Sequence, residues 1–155
     1  MRPEDASKQT TDETPRSLQG RRVLVVEDDS DTLQIMQFVL ERHGAHVMPA
    51  DSVPAALDRI ESSPPEVVVA DIGMRGLNGY ALISEIREMD AASGRHTPAI
   101  AVTGFATPQD RETAAAAGFE AYITKPFDPH VLIDTVAQLI QGSQEWASSH
   151  SDPPQ

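Results

Sequence analysis

Short runs of consecutive apolar residues recur along the chain, and each is followed by a segment with helical periodicity. Runs that do not alternate with polar residues are typical of strands buried on both faces of a parallel sheet. The run at 45–50 is weaker and has the character of an edge strand. The predicted strands are 23–26, 45–50, 67–70, 99–102 and 121–123.

Five helices are predicted from the 3.6-residue spacing of apolar side chains and from residues that begin or end helices. One of them runs from a cap at Thr107 to Gly118 and contains an alanine run at 114–117, which places alanine on both sides of the helix. Because alanine leaves little surface to bury, we expect this helix to be loosely packed and able to shift. Counting their caps, the helices span about 30–43, 52–63, 78–89, 107–118 and 128–142.

The alternation of strand and helix, repeated five times, predicts an α/β fold: a doubly wound parallel sheet with right-handed crossovers and helices on both faces. We expect residues 21–141 to form this single domain. Residues 1–20 are rich in Ser, Thr, Pro and acidic residues without an apolar period, which predicts a disordered tail. Residues 142–155 are expected to form a flexible tail. Whether the Thr-rich patches of the first tail carry regulation stays open.

Composition excludes several classes of protein. The chain has no cysteine, so it has neither disulfides nor thiolate metal sites. Its net charge of −12 argues against direct binding to nucleic acid. No apolar run approaches the roughly 20 residues of a membrane span, and the N-terminus lacks a signal-peptide pattern. We therefore expect a cytoplasmic protein without a membrane partner.

Polar side chains follow the carboxyl ends of four predicted strands: Glu27 and Asp28, Asp71, Thr103 and Lys125. Ligands of open α/β sheets bind just outside these ends, so we expect one acidic pocket. Carboxylates of this kind suit Mg²⁺. Asp71 can then act as a nucleophile that accepts a phosphoryl group, while Thr103 and Lys125 stabilise its charge. Lys125 is the only lysine between residues 21 and 141, and this role would explain it.

Simpler interpretations of the acidic residues remain open. Asp71 alone could form a turn after its strand. The acidic residues 27–29 could begin a helix, with Asp29 or Ser30 as its cap. Asp29 fits that role, whereas Glu27 and Asp28 lie too early for it. The combination of polar groups at four strand ends favours a chemical site.

Four segments resemble the receiver domain of two-component response regulators, of the single-domain, chemotaxis-receiver-like type. They are 23–29, 71–74, 102–104 and 125–127. The resemblance covers roughly residues 21–141 and implies a (βα)₅ flavodoxin-like fold with strand order 2-1-3-4-5. It implies a sensor histidine kinase or a histidine phosphotransfer protein as phosphodonor. Since only 13 residues follow Gly142, we expect output through contacts of the 107–141 face with a target protein, or a role as an intermediary in a relay.

The resemblance also implies individual roles. Asp71 is the phosphoacceptor, Thr103 the switch hydroxyl and Lys125 the phosphoryl-binding cation. Tyr122 corresponds to an aromatic that changes rotamer with Thr103, although a half-buried strand tyrosine is the alternative. A cis peptide is implied at Pro126. The Mg²⁺ ligands implied are Asp28, Asp71, the backbone carbonyl of Gly73 and, through water, Glu27.

Two further positions concern the lifetime of the phosphorylated state. In the family, hydrolysis is controlled two residues after the phosphoacceptor and two after the switch threonine, here Gly73 and Phe105. Neither can orient a water molecule, so we expect long-lived phospho-Asp71.

Arg75 replaces the proline that is usual in the loop after Asp71. This replacement loosens the backbone, adds a cation at the pocket rim and leaves the details of activation open.

Phe38 projects from the helix face opposite the apolar stripe. A large exposed aromatic is a candidate partner contact, although single exposed apolar residues are common.

Two functions are compatible with the sequence. The first is a phosphoacceptor that is not a classical enzyme but catalyses its own Mg²⁺-dependent phosphorylation and slow autodephosphorylation. The second is a pseudo-receiver, a protein-interaction module with a purely structural pocket. The complete set of pocket residues favours the first, and only Arg75 favours the second.

Overall fold

The computed structural model describes residues 17–73, 79–104 and 107–150, the last eight of these by backbone alone. In these segments, strands and helices alternate along the chain. The strands are β1 (Arg22–Val26), β2 (His46–Ala50), β3 (Val67–Asp71), β4 (Ala99–Thr103) and β5 (Ala121–Thr124). The helices are α1 (Ser30–Arg42), α2 (Val53–Ser62), α3 (Gly79–Ser93), α4 (Pro108–Ala117) and α5 (Pro129–His150).

The strands form one parallel sheet in the order β2-β1-β3-β4-β5, which confirms the predicted fold and strand order. β3 lies at the centre, and all five of its residues are buried. β2 is an edge strand, where Pro49 is tolerated because an edge residue can lack a ladder N–H. Arg59 of α2 donates from Nε to the Pro49 carbonyl at 3.2 Å and covers part of this edge.

The core consists of two apolar layers, one on each face of the sheet. In β1, Leu24 and Val26 face the layer that includes α2 and α3, whereas Val23 and Val25 face α1 and α5. All four side chains are at most 1% exposed. The unalternating apolar runs therefore mark strands covered on both sides, as the sequence pattern predicted.

The caps of α1 and α4 lie where the sequence predicted them. The Asp29 carboxylate accepts a hydrogen bond from the Thr32 amide at 3.0 Å and begins α1. The Thr32 hydroxyl and amide hold the pKa of the Asp29 carboxyl below its usual range. Thr107 and Asp110 form a reciprocal capping box at the start of α4, and Gly118 ends that helix with a φ of 119°.

The predicted N-terminal tail is wrong for residues 17–20. Leu18 is fully buried against the layer of α1 and α5. Its amide donates to the His43 carbonyl at 3.0 Å, and the Gly20 amide donates to Gly44 at 2.9 Å. A single apolar residue among polar neighbours produces no periodicity, so the pattern could not predict its burial.

Two helices extend further than predicted. α3 continues to Ser93 rather than ending near Met89, and α5 continues through Gly142 to His150. The predicted helix end at Gly142 is therefore wrong. Gly142 does not adopt a positive φ. A helical glycine costs only about 1 kcal/mol relative to alanine, which does not by itself end a helix.

No described helix is both long and apolar enough to cross a bilayer.

Candidate functional site

The strand register brings the predicted site residues to one edge of the sheet. Val26 of β1 pairs with Ala70 of β3, so the residues that follow them, Glu27 and Asp71, are neighbours. Asp71 in turn pairs with Val102 of β4. On the other side of β4, Thr103 pairs with Thr124, and Lys125 follows. The predicted convergence at the carboxyl edge is thus present in the structure.

Lys125 connects the two innermost carboxylates. Its Nζ lies 2.9 Å from Glu27 Oε1 and 3.1 Å from Asp71 Oδ2. Burial raises the pKa of Glu27 above its usual value, and the Lys125 ammonium offsets only part of that effect. Burial alone would lower the pKa of Lys125, but the hydrogen bonds and charges of the two carboxylates outweigh it and raise that pKa. The ammonium therefore stays protonated at neutral pH.

Three carboxylates converge at this edge of the sheet. Glu27, Asp28 and Asp71 each place an oxygen within 4.8 Å of the others, and Asp28 is exposed to solvent. Glu27 Oε1 is buried and, apart from its ion pair with Lys125, has no hydrogen-bond partner in the described segments. Three carboxylates therefore converge, and the buried Glu27 Oε1 is paired only with Lys125 among the described residues. Such a group of oxygens suits a hard divalent cation such as Mg²⁺.

Backbone amides orient the carboxylates. The Gly73 amide donates to Asp71 Oδ1 at 2.8 Å, and the Asp29 amide donates to Glu27 Oε2 at 3.2 Å. Asp71 Oδ2 faces Lys125. Both oxygens of Asp71 are thus fixed, while 8% of the residue stays accessible. This geometry suits a nucleophile that must be held in place and still reached by a donor.

Thr103 and Tyr122, the predicted switch residues, lie at the end of β4 and on β5. Thr103 is 1% exposed, and its carbonyl accepts a hydrogen bond from the Lys125 amide at 2.8 Å. Tyr122 is partly buried on β5, and burial raises the pKa of its phenol. The guanidinium of Arg111 in α4 lies 4.7 Å from the centre of the Tyr122 ring. The sequence pattern missed this contact, because nothing distinguishes Arg111 from other exposed helical arginines.

Other predicted residues lie away from the pocket or outside the described segments. Phe38 is 61% exposed on α1, with the Arg42 guanidinium 5.7 Å from the centre of its ring. Its exposure confirms the predicted helix face. Lys125–Pro126 is a cis peptide, as the resemblance implied. Arg75 and Phe105 lie outside the described residues.

Comparison with known proteins identifies the family. The family model for the response regulator receiver domain matches residues 23–137. The chain belongs to this family. The match covers all five strands except Arg22, the first residue of β1, and it covers all the pocket residues described above. It confirms the resemblance on which the residue roles were based, and receivers of this family generally depend on Mg²⁺.

Individual relatives place this receiver among response regulators and kinase-linked receivers. An uncharacterized 14.6 kDa protein from Leptolyngbya boryana is 41% identical over 75% of this chain and 87% of its own length. The sensory/regulatory protein RpfC of Xanthomonas campestris is 28% identical over 84% of this chain, which spans only 18% of RpfC. The receiver domain of Francisella response regulator 1452 superposes with a TM-score of 0.72 at 27% identity, covering 79% of this chain and 98% of that domain.

Proposed function

We propose that this receiver accepts a phosphoryl group on Asp71 from a phosphohistidine of a sensor histidine kinase or of a histidine phosphotransfer protein. The observation that carries the proposal is the contact of Lys125 Nζ with Asp71 Oδ2, beside three converging carboxylates. A module with a purely structural pocket has no need to assemble a cation, a hydroxyl and surplus carboxylates around one aspartate.

The proposed transfer is an in-line displacement at phosphorus. A carboxylate oxygen of Asp71 forms the new O–P bond while the P–N bond to the donor imidazole breaks. The electron pair of that bond stays on the imidazole nitrogen. The ring leaves as neutral imidazole when its other nitrogen is protonated, and otherwise the departing nitrogen takes up a proton. Lys125 stabilises negative charge on the transferred group, and Thr103 supplies a hydroxyl at the neighbouring strand end.

We propose Asp28 and Asp71 as direct Mg²⁺ ligands, with Glu27 acting through water and Gly73 through its carbonyl. When bound, the ion neutralises phosphoryl charge that the carboxylates would otherwise repel. Glu27 and Asp28 thus serve the reaction by holding a cation beside Asp71. The chain's own part is to fix these groups in position.

Labelling with a small acyl phosphate tests the proposed function. We expect the wild-type chain to incorporate one phosphoryl group per molecule in Mg²⁺ and none in EDTA. Asp71→Asn should abolish labelling, because an amide is too weak a nucleophile. Asp58→Asn, at an exposed aspartate of α2, is the matched control and should label normally. A wild-type chain that stays unlabelled in Mg²⁺ would favour the pseudo-receiver alternative.

We propose that Phe38 belongs to the surface that the phosphodonor contacts. Ile35 of the same helix and Val131 of α5 are also exposed, by 53% and 46%. Large apolar side chains that are exposed rather than packed in the core suit contact with an apolar partner surface.

Replacing Phe38 with serine should weaken transfer from a kinase that phosphorylates the wild-type chain, while labelling by an acyl phosphate stays normal. The melting temperature should stay within error, since the side chain is mostly exposed and its contact with Arg42 is worth only about 0.5–1 kcal/mol. Gln138→Ser on the exposed side of α5 is the control. A loss of roughly 3–5 kcal/mol, as for a core aromatic, would contradict this assignment.

We propose that output passes through the 107–141 face, because α4 is weakly anchored there. Ala114 is the only α4 residue that is fully buried among the described residues. A helix with so few buried side chains costs little to shift when charge is added at Asp71.

Hydrogen exchange with and without a phosphoryl mimic such as beryllium fluoride should therefore show altered protection across 107–124. Protection of α2, which packs against β1 and β2 at the far end of the same layer, should stay unchanged. Equal protection of both regions with and without the mimic would mean that α4 does not respond.

We further propose that phospho-Asp71 decays slowly. Gly73 offers no side chain to orient a hydrolytic water, and Phe105 contributes only an apolar ring. Positioning dominates this chemistry, so the absence of a polar group at these two positions should lengthen the lifetime of phospho-Asp71.

We propose a cytoplasmic location for this reaction.

A further inference from the structure

The first residue of α3 lies directly against the backbone of the phosphoacceptor strand. Gly79 is buried, and a Cβ built on it would lie 2.7 Å from the Ile72 Cα and 2.9 Å from the Asp71 carbonyl oxygen. Real Cβ atoms do not approach other atoms this closely. Because two of the contacted atoms belong to the backbone, a side-chain rotation cannot relieve the overlap.

The requirement for glycine at this position is spatial. Gly79 does not have a positive φ, so its backbone conformation is open to other residues. By contrast, Gly118 ends α4 in the left-handed region, and a Cβ built on Gly142 meets no described atom within 4 Å beyond its chain neighbours and its own helix backbone. Gly79 therefore differs from both: its backbone would accept a side chain, but the Asp71–Ile72 segment leaves no room for one.

That segment has little freedom to move away. On the sheet side, the Ile72 amide donates to the Val102 carbonyl at 3.1 Å. Beyond it, the Gly73 amide holds Asp71 Oδ1 at 2.8 Å. Displacing the backbone at residues 71–72 would therefore also displace the carboxylate and the Gly73 amide that orients it.

From this packing we infer that Gly79 is a positioning residue for phosphoryl acceptance: by letting α3 abut the Asp71–Ile72 backbone, it sets the place of the Asp71 carboxylate relative to Lys125 and Asp28. The inference rests on the proposed function and adds a residue that touches neither metal nor phosphoryl group. A misplacement of about 1 Å at a reacting group can lower a rate by about 10²-fold.

The test compares Gly79→Ala with Gly142→Ala, a helical glycine in open space. Initial rates of labelling by an acyl phosphate are measured over a range of donor and Mg²⁺ concentrations, on protein shown by its far-ultraviolet spectrum to be folded. We expect Gly79→Ala to lower the maximal rate at least 10-fold and to raise the Mg²⁺ dissociation constant, determined separately by NMR titration. Gly142→Ala should match wild type in both.

The outcomes separate this inference from the proposed function. If wild type is not labelled, the proposed function fails, and the Mg²⁺ affinities of the two variants still decide the role of Gly79. A wild-type rate and metal affinity in Gly79→Ala would overturn the inference. If that variant does not fold, the wild-type amide resonance of Gly79 is followed during Mg²⁺ titration. It should shift with those of residues 71–73, while that of Gly142 stays in place, and a stationary Gly79 resonance would overturn the inference.

Discussion

Replacing Asp28 with alanine should abolish both Mg²⁺ binding and labelling of the receiver by a small phosphodonor. Asp28 is the most exposed of the three carboxylates that converge at the strand ends. Removing it leaves Glu27 and Asp71, both of which already contact the Lys125 ammonium. The remaining site has too little negative charge and too few free oxygens to compete with water for Mg²⁺.

The same variant should not be destabilised when metal is absent. The oxygens of Glu27, Asp28 and Asp71 lie within 4.8 Å of one another, so deleting the exposed Asp28 carboxylate reduces the repulsion among them. Mg²⁺ titration, labelling and urea unfolding in EDTA measure the three quantities. Asp31→Ala removes the same charge from the exposed first turn of α1 and should leave labelling intact. Normal labelling of Asp28→Ala would show that the metal ligands have been assigned wrongly.

The pocket could be predicted from sequence because topology places it. Buried parallel strands all end at one edge, so polar residues that directly follow such strands must converge there. Glu27, Asp71 and Lys125 each follow an apolar run closely, and the register confirms that they meet. The family's motifs then assigned roles that spacing alone left open.

What the sequence did not predict depends on contacts between distant segments. Leu18 is buried by packing against α1 and α5, and its isolated position in a polar stretch gives no sign of this. Gly142 has the residue type of a helix end without the left-handed conformation that ends one. Gly79 has the residue type of a helix start, but the close approach to Ile72 that requires glycine appears only in three dimensions.

Lys125 has a second consequence, for stability. The Lys125 ammonium forms an ion pair with the buried Glu27 carboxylate. Burial nevertheless raises the pKa of Glu27 above its ordinary value. A carboxyl whose pKa is raised on folding binds its proton more tightly in the folded state. Its contribution to the free energy of unfolding therefore declines as the pH rises from its ordinary value of 4.5 through the folded pKa. Lys125 itself, with a raised pKa, stays charged throughout this range.

Replacing Lys125 with methionine should consequently lower the metal-free stability by about 3 kcal/mol at pH 8, the low end for losing one partner of a buried ion pair. The low end applies because 27% of the Lys125 side chain is exposed. The deficit should be smaller at pH 5 than at pH 8, because a raised Glu27 pKa increases the uncharged fraction of this carboxyl at the lower pH, and it should largely disappear when Glu27→Gln is added. Urea unfolding in EDTA at both pH values measures it. Arg21→Met, which breaks the more exposed ion pair with Glu66, should cost less than about 1 kcal/mol at either pH. A Lys125→Met deficit that is equal at pH 5 and pH 8, or that persists with Glu27→Gln, would mean that the ammonium stabilises the fold through something other than the Glu27 charge.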